Sequence, residues 1–333
     1  MIKPNAKVQA LIKKACKRKK HIKLTVGTYY EGEKMIRVYD KTGEVSNENY
    51  TYAIGSVTKP FVGSLLAKYV YEGKMSLDDP ISKYIDGLDP SAYYPNLRRL
   101  ATHTSGYPKH MGWNILRALS NEFALEFGLG GGKTPCKLDF YKMKSLVEKN
   151  KREDKDYPWK YANINFALLG YAIGIVSGHG YWDTMDDFLS NELGLTGSYT
   201  GVRAQNLHGY TWLNKDIGNW FTEKDFMAPC GDISSTADDL LTFAKINMYQ
   251  EKPYLSLSHK KHANVKENHH MGIGWILQKN EQVLMHTGQT SRLLACLGID
   301  MKQKFAVVVL INHDCENEIQ QIGAVLYEQL AYK

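Results

Sequence analysis

The pattern of apolar and polar positions divides the chain into strand-like ends and a helix-rich middle. Val8 to Cys16 keeps its apolar residues on one helical face, and Ile22 to Tyr30 then reads as a strand. Met35 to Tyr39 follows as its hairpin partner, with a turn at Lys41-Thr42-Gly43. Tyr50 to Ile54 alternates as a short half-buried strand. Directly behind it, Val62, Leu65, Leu66, Tyr69 and Val70 recur with helical period, and Pro60 suits the first turn of that helix. Residues 110–160 read as helical, with a glycine-rich break and a charged run from Lys149 to Asp156. Tyr161 to Ser177 is strongly periodic, and Ser235 to Met248 is a further helix opened by a Ser-Thr-Ala-Asp cap. The end holds strands at Met271 to Gln278, Val283 to His286, Leu293 to Asp300 and Phe305 to Asn312, then a helix from Glu316 to Leu330.

Strands at both ends around a helical middle predict an α/β fold of the α+β type. One antiparallel sheet is built from both chain ends, with flanking helices and an inserted, mainly helical lobe. The expected sheet-containing lobe comprises residues 1–58 and 229–333, and the helical lobe residues 60–228, within one domain spanning 1–333.

Composition narrows the class. A chain of 333 residues with 43% hydrophobic and 23% charged residues is ordinary for a soluble globular protein and long enough for a large core. The net charge of +7 is mild. Much of it sits at Lys13, Lys14, Lys17, Arg18, Lys19, Lys20 and Lys23, read as a solvated helix face. No aromatic-interleaved basic patch argues for nucleic acid. The longest apolar stretches, Phe166 to Val176 and Phe305 to Ile311, are too short to span a membrane, and lysines interrupt any signal core. Cys16, Cys136, Cys230, Cys296 and Cys315 are odd in number and include no Cys-x-x-Cys pair, which predicts reduced thiols in a cytoplasmic protein.

Candidate chemistry concentrates at Ser56-Val57-Thr58-Lys59. A serine where a helix starts has an exposed Oγ at the positive end of the dipole, and a lysine one turn on projects from the same face. Serine is a poor nucleophile until a neighbour takes its proton, and a desolvated lysine amine is suited to that. The spacing alone is weak, because Ser258-His259-Lys260-Lys261 shares it. Two other stretches strengthen it: Tyr161-Ala162-Asn163 opens a helix, and His286-Thr287-Gly288-Gln289 ends a strand. Tyr94-Pro95-Asn96 and Lys41-Thr42-Gly43 imitate them out of context. Gly128 to Thr134 invites a phosphate-loop reading but has Phe127 where the first glycine belongs, so a plain loop is expected. His259, His262, His269 and His270 have no carboxylate at ligand spacing and are read as a surface loop, with no metal.

Taken together, these motifs resemble the serine β-lactamase and penicillin-binding-protein family, and most of all its class C β-lactamase-like branch of D-alanyl-D-alanine carboxypeptidases, D-aminopeptidases and esterases. Gly55 to Phe61 and Leu77-Asp78-Asp79-Pro80-Ile81 are similar to the first motif and its sequel. Leu100 to Gly106 resembles the His-Thr-Ser-Gly loop, and Tyr161-Ala162-Asn163 with Leu168 to Tyr171 the Tyr-x-Asn motif and its helix. Gly231 to Leu240 matches another segment, and His286-Thr287-Gly288 stands where the family has Lys-Thr-Gly or His-Thr-Gly.

The resemblance implies an acyl-enzyme at Ser56, with Lys59 or Tyr161 as first base and Tyr161 as the acid that protonates the leaving group and later activates water. Asn163 would orient Lys59 and bind a substrate amide. His286, Thr287, Gly288 and Gln289 would line the substrate, and the backbone N–H groups of Ser56 and Gln289 would form the oxyanion hole. His103 is expected to be structural. No metal or organic cofactor is implied, and the substrate is a small molecule or short peptide carrying an ester or amide. The alternatives are a true class C-type β-lactamase and a penicillin-recognising sensor that acylates without turnover. Gln289 replaces a small residue, and Asp156-Tyr157-Pro158-Trp159-Lys160 lacks the Pro-Gly turn frequent in the family; both bear on substrate class. An imidazole of ordinary pKa, about 6.5, would make the charge at His286 conditional, so acidic substrates would bind worse as pH rises from about 6 to about 8.

Overall fold

The computed structural model describes residues 3–45, 48–111, 138–219 and 225–332. Its strands are β1 (Leu24–Tyr30), β2 (Glu33–Asp40), β3 (Gly43–Val45), β4 (Thr51–Ala53), β5 (Tyr199–Thr200), β6 (Gly209–Tyr210), β7 (Asp216–Gly218) and β8 (Ile233–Thr236). They continue with β9 (Ala263–Lys266), β10 (His269–Met271), β11 (Ile276–Gln278), β12 (Val283–Gln289), β13 (Leu294–Asp300) and β14 (Phe305–Ile311). Nine of them form one antiparallel sheet in the order β3-β2-β1-β14-β13-β12-β11-β10-β9. The two chain ends meet at its centre, where Leu24 pairs with Ile311 and Tyr30 with Phe305. This is the sheet built from both ends that the strand pattern predicts.

Helices cover both faces: α1 (Ala6–Cys16), α2 (Thr58–Tyr71), α3 (Leu97–Ala101), α4 (Phe140–Lys149), α5 (Asn163–Ser177), α6 (Tyr181–Asp187), α7 (Ala237–Tyr249), α8 (Leu255–His259) and α9 (Glu316–Ala331). Alternation along each strand sends neighbouring side chains to opposite faces. Leu24, Val26, Val307 and Val309 join α1 and α9 in one cluster, while Leu284, Leu297, Ile299 and Val308 join α2, α5 and α7 in a larger one. Helices α2 and α5 are buried nearly all round, as interior helices rather than surface ones are. Phe61 stacks on Phe243 with ring centroids 3.8 Å apart, and Phe243 on Trp275 at 5.9 Å. Each such side chain contributes about 1.5–3 kcal/mol on full burial.

Three sequence readings need correction. The strand expected from Met271 to Gln278 is broken into β10 and β11. A Cβ on Gly274, whose φ is +79°, would stand 2.5 Å from the Lys59 carbonyl oxygen, and one on Gly63 would stand 2.2 Å from that of Ile273. The chain bends there because it runs against α2 at backbone distance. Ser235 and Thr236 end strand β8 rather than start a helix; α7 begins at Ala237, with Thr236 Oγ1 accepting from the Asp239 N–H at 3.2 Å. The histidine tract is no surface loop. His259 closes α8, is buried, and shares a 2.9 Å hydrogen bond between its Nε2 and Asn247 Oδ1; His269 and His270 lie in β10, paired with β11. The alternation of Ala263 to Lys266 makes an edge hairpin out of a polar stretch. Gly128 to Thr134 lies outside the described residues. Among the described residues, no cluster of His, Cys, Asp or Glu is arranged to hold a metal, and no helix is long and apolar enough to cross a membrane.

Candidate active site

Ser56 sits in a 3₁₀ turn, Gly55–Val57, that runs straight into α2. It is half-buried, whereas Gly55 and Val57 beside it are buried, so the turn offers one hydroxyl to solvent. Two contacts fix the turn against neighbouring elements. Ile54 N–H donates to the Ile233 carbonyl at 2.9 Å, and Thr58 Oγ1 accepts from the Ile233 N–H at 3.1 Å.

Lys59 lies on the first turn of α2 and is fully buried. A buried cation is costly unless its donors are satisfied. Its Nζ donates to Ser56 Oγ at 2.9 Å, to Asn163 Oδ1 at 3.0 Å and to the Cys230 carbonyl at 2.7 Å. Three acceptors match the three N–H groups of an ammonium. The rings of Tyr161 and Phe166 add faces 4.9 Å and 5.6 Å from Nζ.

Tyr161 approaches from the segment that leads into α5. It ends an extended segment held on the loop after α3, with Tyr157 N–H donating to the Thr104 carbonyl at 3.1 Å and Lys160 N–H to that of His103 at 2.9 Å. Its hydroxyl donates to Ser56 Oγ at 2.7 Å. Asn163 is the first residue of α5. The structure therefore brings Ser56, Lys59, Tyr161 and Asn163 into one hydrogen-bonded cluster from two separate parts of the chain.

His103 supports this cluster from behind. It is buried with a left-handed backbone, φ +59°, and its ring centroid is 4.5 Å from that of Tyr161. The Ala162 N–H donates to its Nδ1 at 3.3 Å, and Asn165 Nδ2 lies 3.2 Å from the same atom. A backbone N–H can only donate, so Nδ1 is an acceptor and the ring is neutral with its proton on Nε2. Burial, then the nearby Lys59 and His286, hold its pKa well below the ordinary range.

Strand β12 supplies the opposite wall and runs on to Gln289, beyond the end the sequence pattern predicts. β11 pairs with it only from Val283 to Met285, so His286 to Gln289 form a strand edge facing the Ser56 turn. Gly288 and Gly55 permit the approach. A Cβ on Gly288 would be 2.8 Å from Ser56 N, and one on Gly55, whose φ is +54°, would be 2.6 Å from Gln289 N. His286 and Gly288 are buried and Gln289 is exposed. Thr287 is not gathered with the cluster: it is half-buried on the other face and lines a cavity shared with Gly323 and Tyr327 of α9.

His286 differs from the sequence-based expectation. Burial first and Lys59 second push its pKa down to about 3, only partly opposed by the 2.7 Å hydrogen bond from its Nδ1–H to the Thr287 carbonyl. The ring is neutral throughout the neutral pH range, so no switchable cation stands here. Sequence reasoning missed the Cys230 carbonyl on Lys59 and the role of His103 as an acceptor. The first is a backbone group, visible only as the residue preceding the Gly231 to Leu240 segment; the second was signalled by the His103 to Gly106 loop itself.

A large antiparallel sheet that pairs β1 with β14, its flanking helices and this order of motifs define a β-lactamase-like, penicillin-binding-protein-like serine hydrolase architecture. The family model for Beta-lactamase matches residues 9–331, and the chain belongs to that family. It is similar to Protein flp of Staphylococcus aureus (strain MW2), 22% identical over 286 residues, which cover 80% of this chain and 53% of that protein. The chain thus spans about half the length of that relative. Among solved structures it resembles the octameric penicillin-binding protein homologue from Pyrococcus abyssi, with a TM-score of 0.80 at 20% identity, covering 98% of this chain and 77% of that one. It also resembles the class C β-lactamase from Rhodobacter sphaeroides, with a TM-score of 0.76 at 18% identity, covering 96% and 98% of the two chains.

Proposed function

We propose that the chain hydrolyses an ester or amide of a small molecule or short peptide through an acyl-enzyme on Ser56. The observation that carries this reading is Ser56 Oγ held 2.9 Å from Lys59 Nζ and 2.7 Å from the Tyr161 hydroxyl. Both are within proton-transfer reach. Ser56 Oγ forms a bond to the acyl carbon as its proton passes to Lys59 in its free-amine form or to Tyr161 in its phenolate form beside a charged Lys59. The carbon–heteroatom bond then breaks, and Tyr161 protonates the leaving alcohol or amine, either with the proton it took from Ser56 or with its own, which the Lys59 ammonium then replaces. Water repeats the sequence to release the acid and restore Ser56. Asn163 anchors Lys59 and offers its amide to the substrate. Negative charge on the acyl oxygen is met by the backbone N–H groups of Ser56 and Gln289, which the Gly55–Gly288 approach keeps near one another. His286, Gly288, Gln289 and the strand at Thr287 form the substrate wall.

A neutral His286 supports neutral ester and amide substrates over carboxylate-bearing ones, because no permanent cation there meets an acid. Free thiols at Cys16, Cys230, Cys296 and Cys315 support a reducing, cytoplasmic setting. The test is intact-protein mass after incubation with a fluorophosphonate or penicillin, with Ser56→Ala as control. A single adduct on the wild type and none on the variant is expected. No wild-type adduct, or one that survives in the variant, overturns the assignment. An acyl adduct formed from an ester or amide substrate that never leaves identifies a sensor rather than a hydrolase, whereas the fluorophosphonate adduct is permanent on either.

A further inference from the structure

The β6–β7 hairpin stands beside the C-terminal end of α1, with Gly209 at its base against Ser291. Its tip exposes two large apolar side chains in succession, Trp212 at 62% and Leu213 at 37%. The tip is pinned. Thr211 N–H donates to the Lys215 carbonyl at 3.0 Å, Asn214 N–H to that of Thr211 at 2.8 Å, and Lys215 N–H to Thr211 Oγ1 at 3.2 Å. At its base, Tyr210 N–H donates to the Asn312 carbonyl at 3.1 Å, and the Tyr210 ring stacks on His21 at 4.8 Å.

Asn214 also ties the tip to the basic run. Its Oδ1 accepts from Lys20 N–H at 2.7 Å, and its Nδ2 donates to the Arg18 carbonyl at 3.4 Å. Lys17, Arg18, Lys20 and Lys215 are all exposed around it. The run continues along α1 through exposed Lys13 and Lys14, while Val8, Ile12 and Ala15 of that helix are buried in the cluster it shares with α9. The apolar side of α1 is therefore already covered, and its lysines face outward.

We propose that this corner docks peripherally on an anionic lipid bilayer, Trp212 and Leu213 entering the headgroup layer while the surrounding lysines and Arg18 meet lipid phosphates. Tryptophan favours the membrane–water interface, and a basic cluster is attracted to an anionic leaflet. A small apolar insertion and an electrostatic patch are each weak alone and act together. Rigid presentation lowers the ordering cost, since the tip needs no rearrangement. A nucleic acid fits less well. Leu213 offers no stacking face, so the exposed pair at the tip suits an apolar layer better than bases.

The test is flotation of the full chain with phosphatidylglycerol–phosphatidylcholine vesicles and with phosphatidylcholine alone, at low and high salt. The wild type is expected to float with the anionic vesicles, less at high salt, and to stay behind with the neutral ones. Trp212→Ala/Leu213→Ala is expected to weaken partitioning at least about tenfold, and Lys17→Glu/Lys20→Glu by about fivefold or more per charge. Thermal unfolding of both variants should match the wild type, which separates loss of docking from loss of fold. No flotation of the wild type, flotation unaffected by either variant, or tighter binding to a duplex oligonucleotide than to vesicles overturns the proposal.

Discussion

Gly288 faces Ile54 so closely that a Cβ on the glycine would stand 2.0 Å from the Ile54 carbonyl oxygen. The obstacle is backbone on an element clamped to β8, so it cannot swing aside as a flexible side chain would. Gly288→Ala is expected to push the strand edge off the Ser56 turn. Overpacking of this kind costs about 1–3 kcal/mol or more. Urea unfolding should show that loss, and ester turnover should fall by about 100-fold or more as the two backbone donors separate. Wild-type values for both would mean that the strand edge and the turn do not sit this close.

Tyr161→Phe keeps the ring beside His103 and Lys59 but removes the hydroxyl from Ser56 Oγ. Stability should change little. Acyl release should slow at least as much as acyl formation, by about 10²–10⁴-fold. Stopped-flow measurement of both steps checks it, and unchanged turnover would leave Tyr161 as packing only.

His286 carries the revised pH argument. Its pKa, lowered to about 3, means that it gains no proton across the neutral range. For a matched acid and methyl-ester substrate, the ratio of kcat/KM values should therefore stay flat from about pH 5 to about pH 8. His286→Lys, which adds a cation, should improve the acid alone. A ratio that follows a group near pH 6.5 would show that the ring is far less desolvated than its burial indicates.

Buried histidines also bear on acid stability. His103 and His286 are held below their ordinary pKa by burial and by Lys59, and burial alone lowers His259 to about 4. A depressed histidine favours the fold at neutral pH. Below the unfolded value of about 6.5, the unfolded chain takes up protons that the native state refuses. Each group then removes about 1.4 kcal/mol per pH unit until its folded pKa is reached. Unfolding free energy should fall steeply between about pH 6.5 and about pH 4, and His259→Gln should make that slope shallower. A stability maximum near pH 5 would contradict this.

The two-residue and 3.6-residue periodicities carry part of the fold, because β2, β13, α1 and α9 each bury a face whose spacing the sequence records, whereas β1, β14, α2 and α5 are apolar and buried on nearly every side. Ser56 and Lys59 were legible for the same reason: one helical turn fixes their separation. Joining them to Tyr161 and His286 rested on motif order, since no local rule links residues so far apart. The break at Gly272–Trp275 stayed hidden because its cause is the neighbouring backbone of α2. The Cys230 carbonyl is available on any residue, so no side chain announced it. The state of His286 is set by desolvation and by Lys59, both products of tertiary packing.

The pairing of β1 with β14 has a consequence for biosynthesis. A ribosome releases Ser56 and Lys59 well before Gln289 and β14, the strand that seats β1. At ~5–20 residues per second, the nucleophile's helix exists for on the order of ten seconds or more without the wall that completes its site. Throughout that interval β1 and β2 expose a hairpin edge that has no partner yet. The nascent chain thus has an incomplete site until β12 and β14 have emerged, and a product interrupted before them would be both inactive and adhesive.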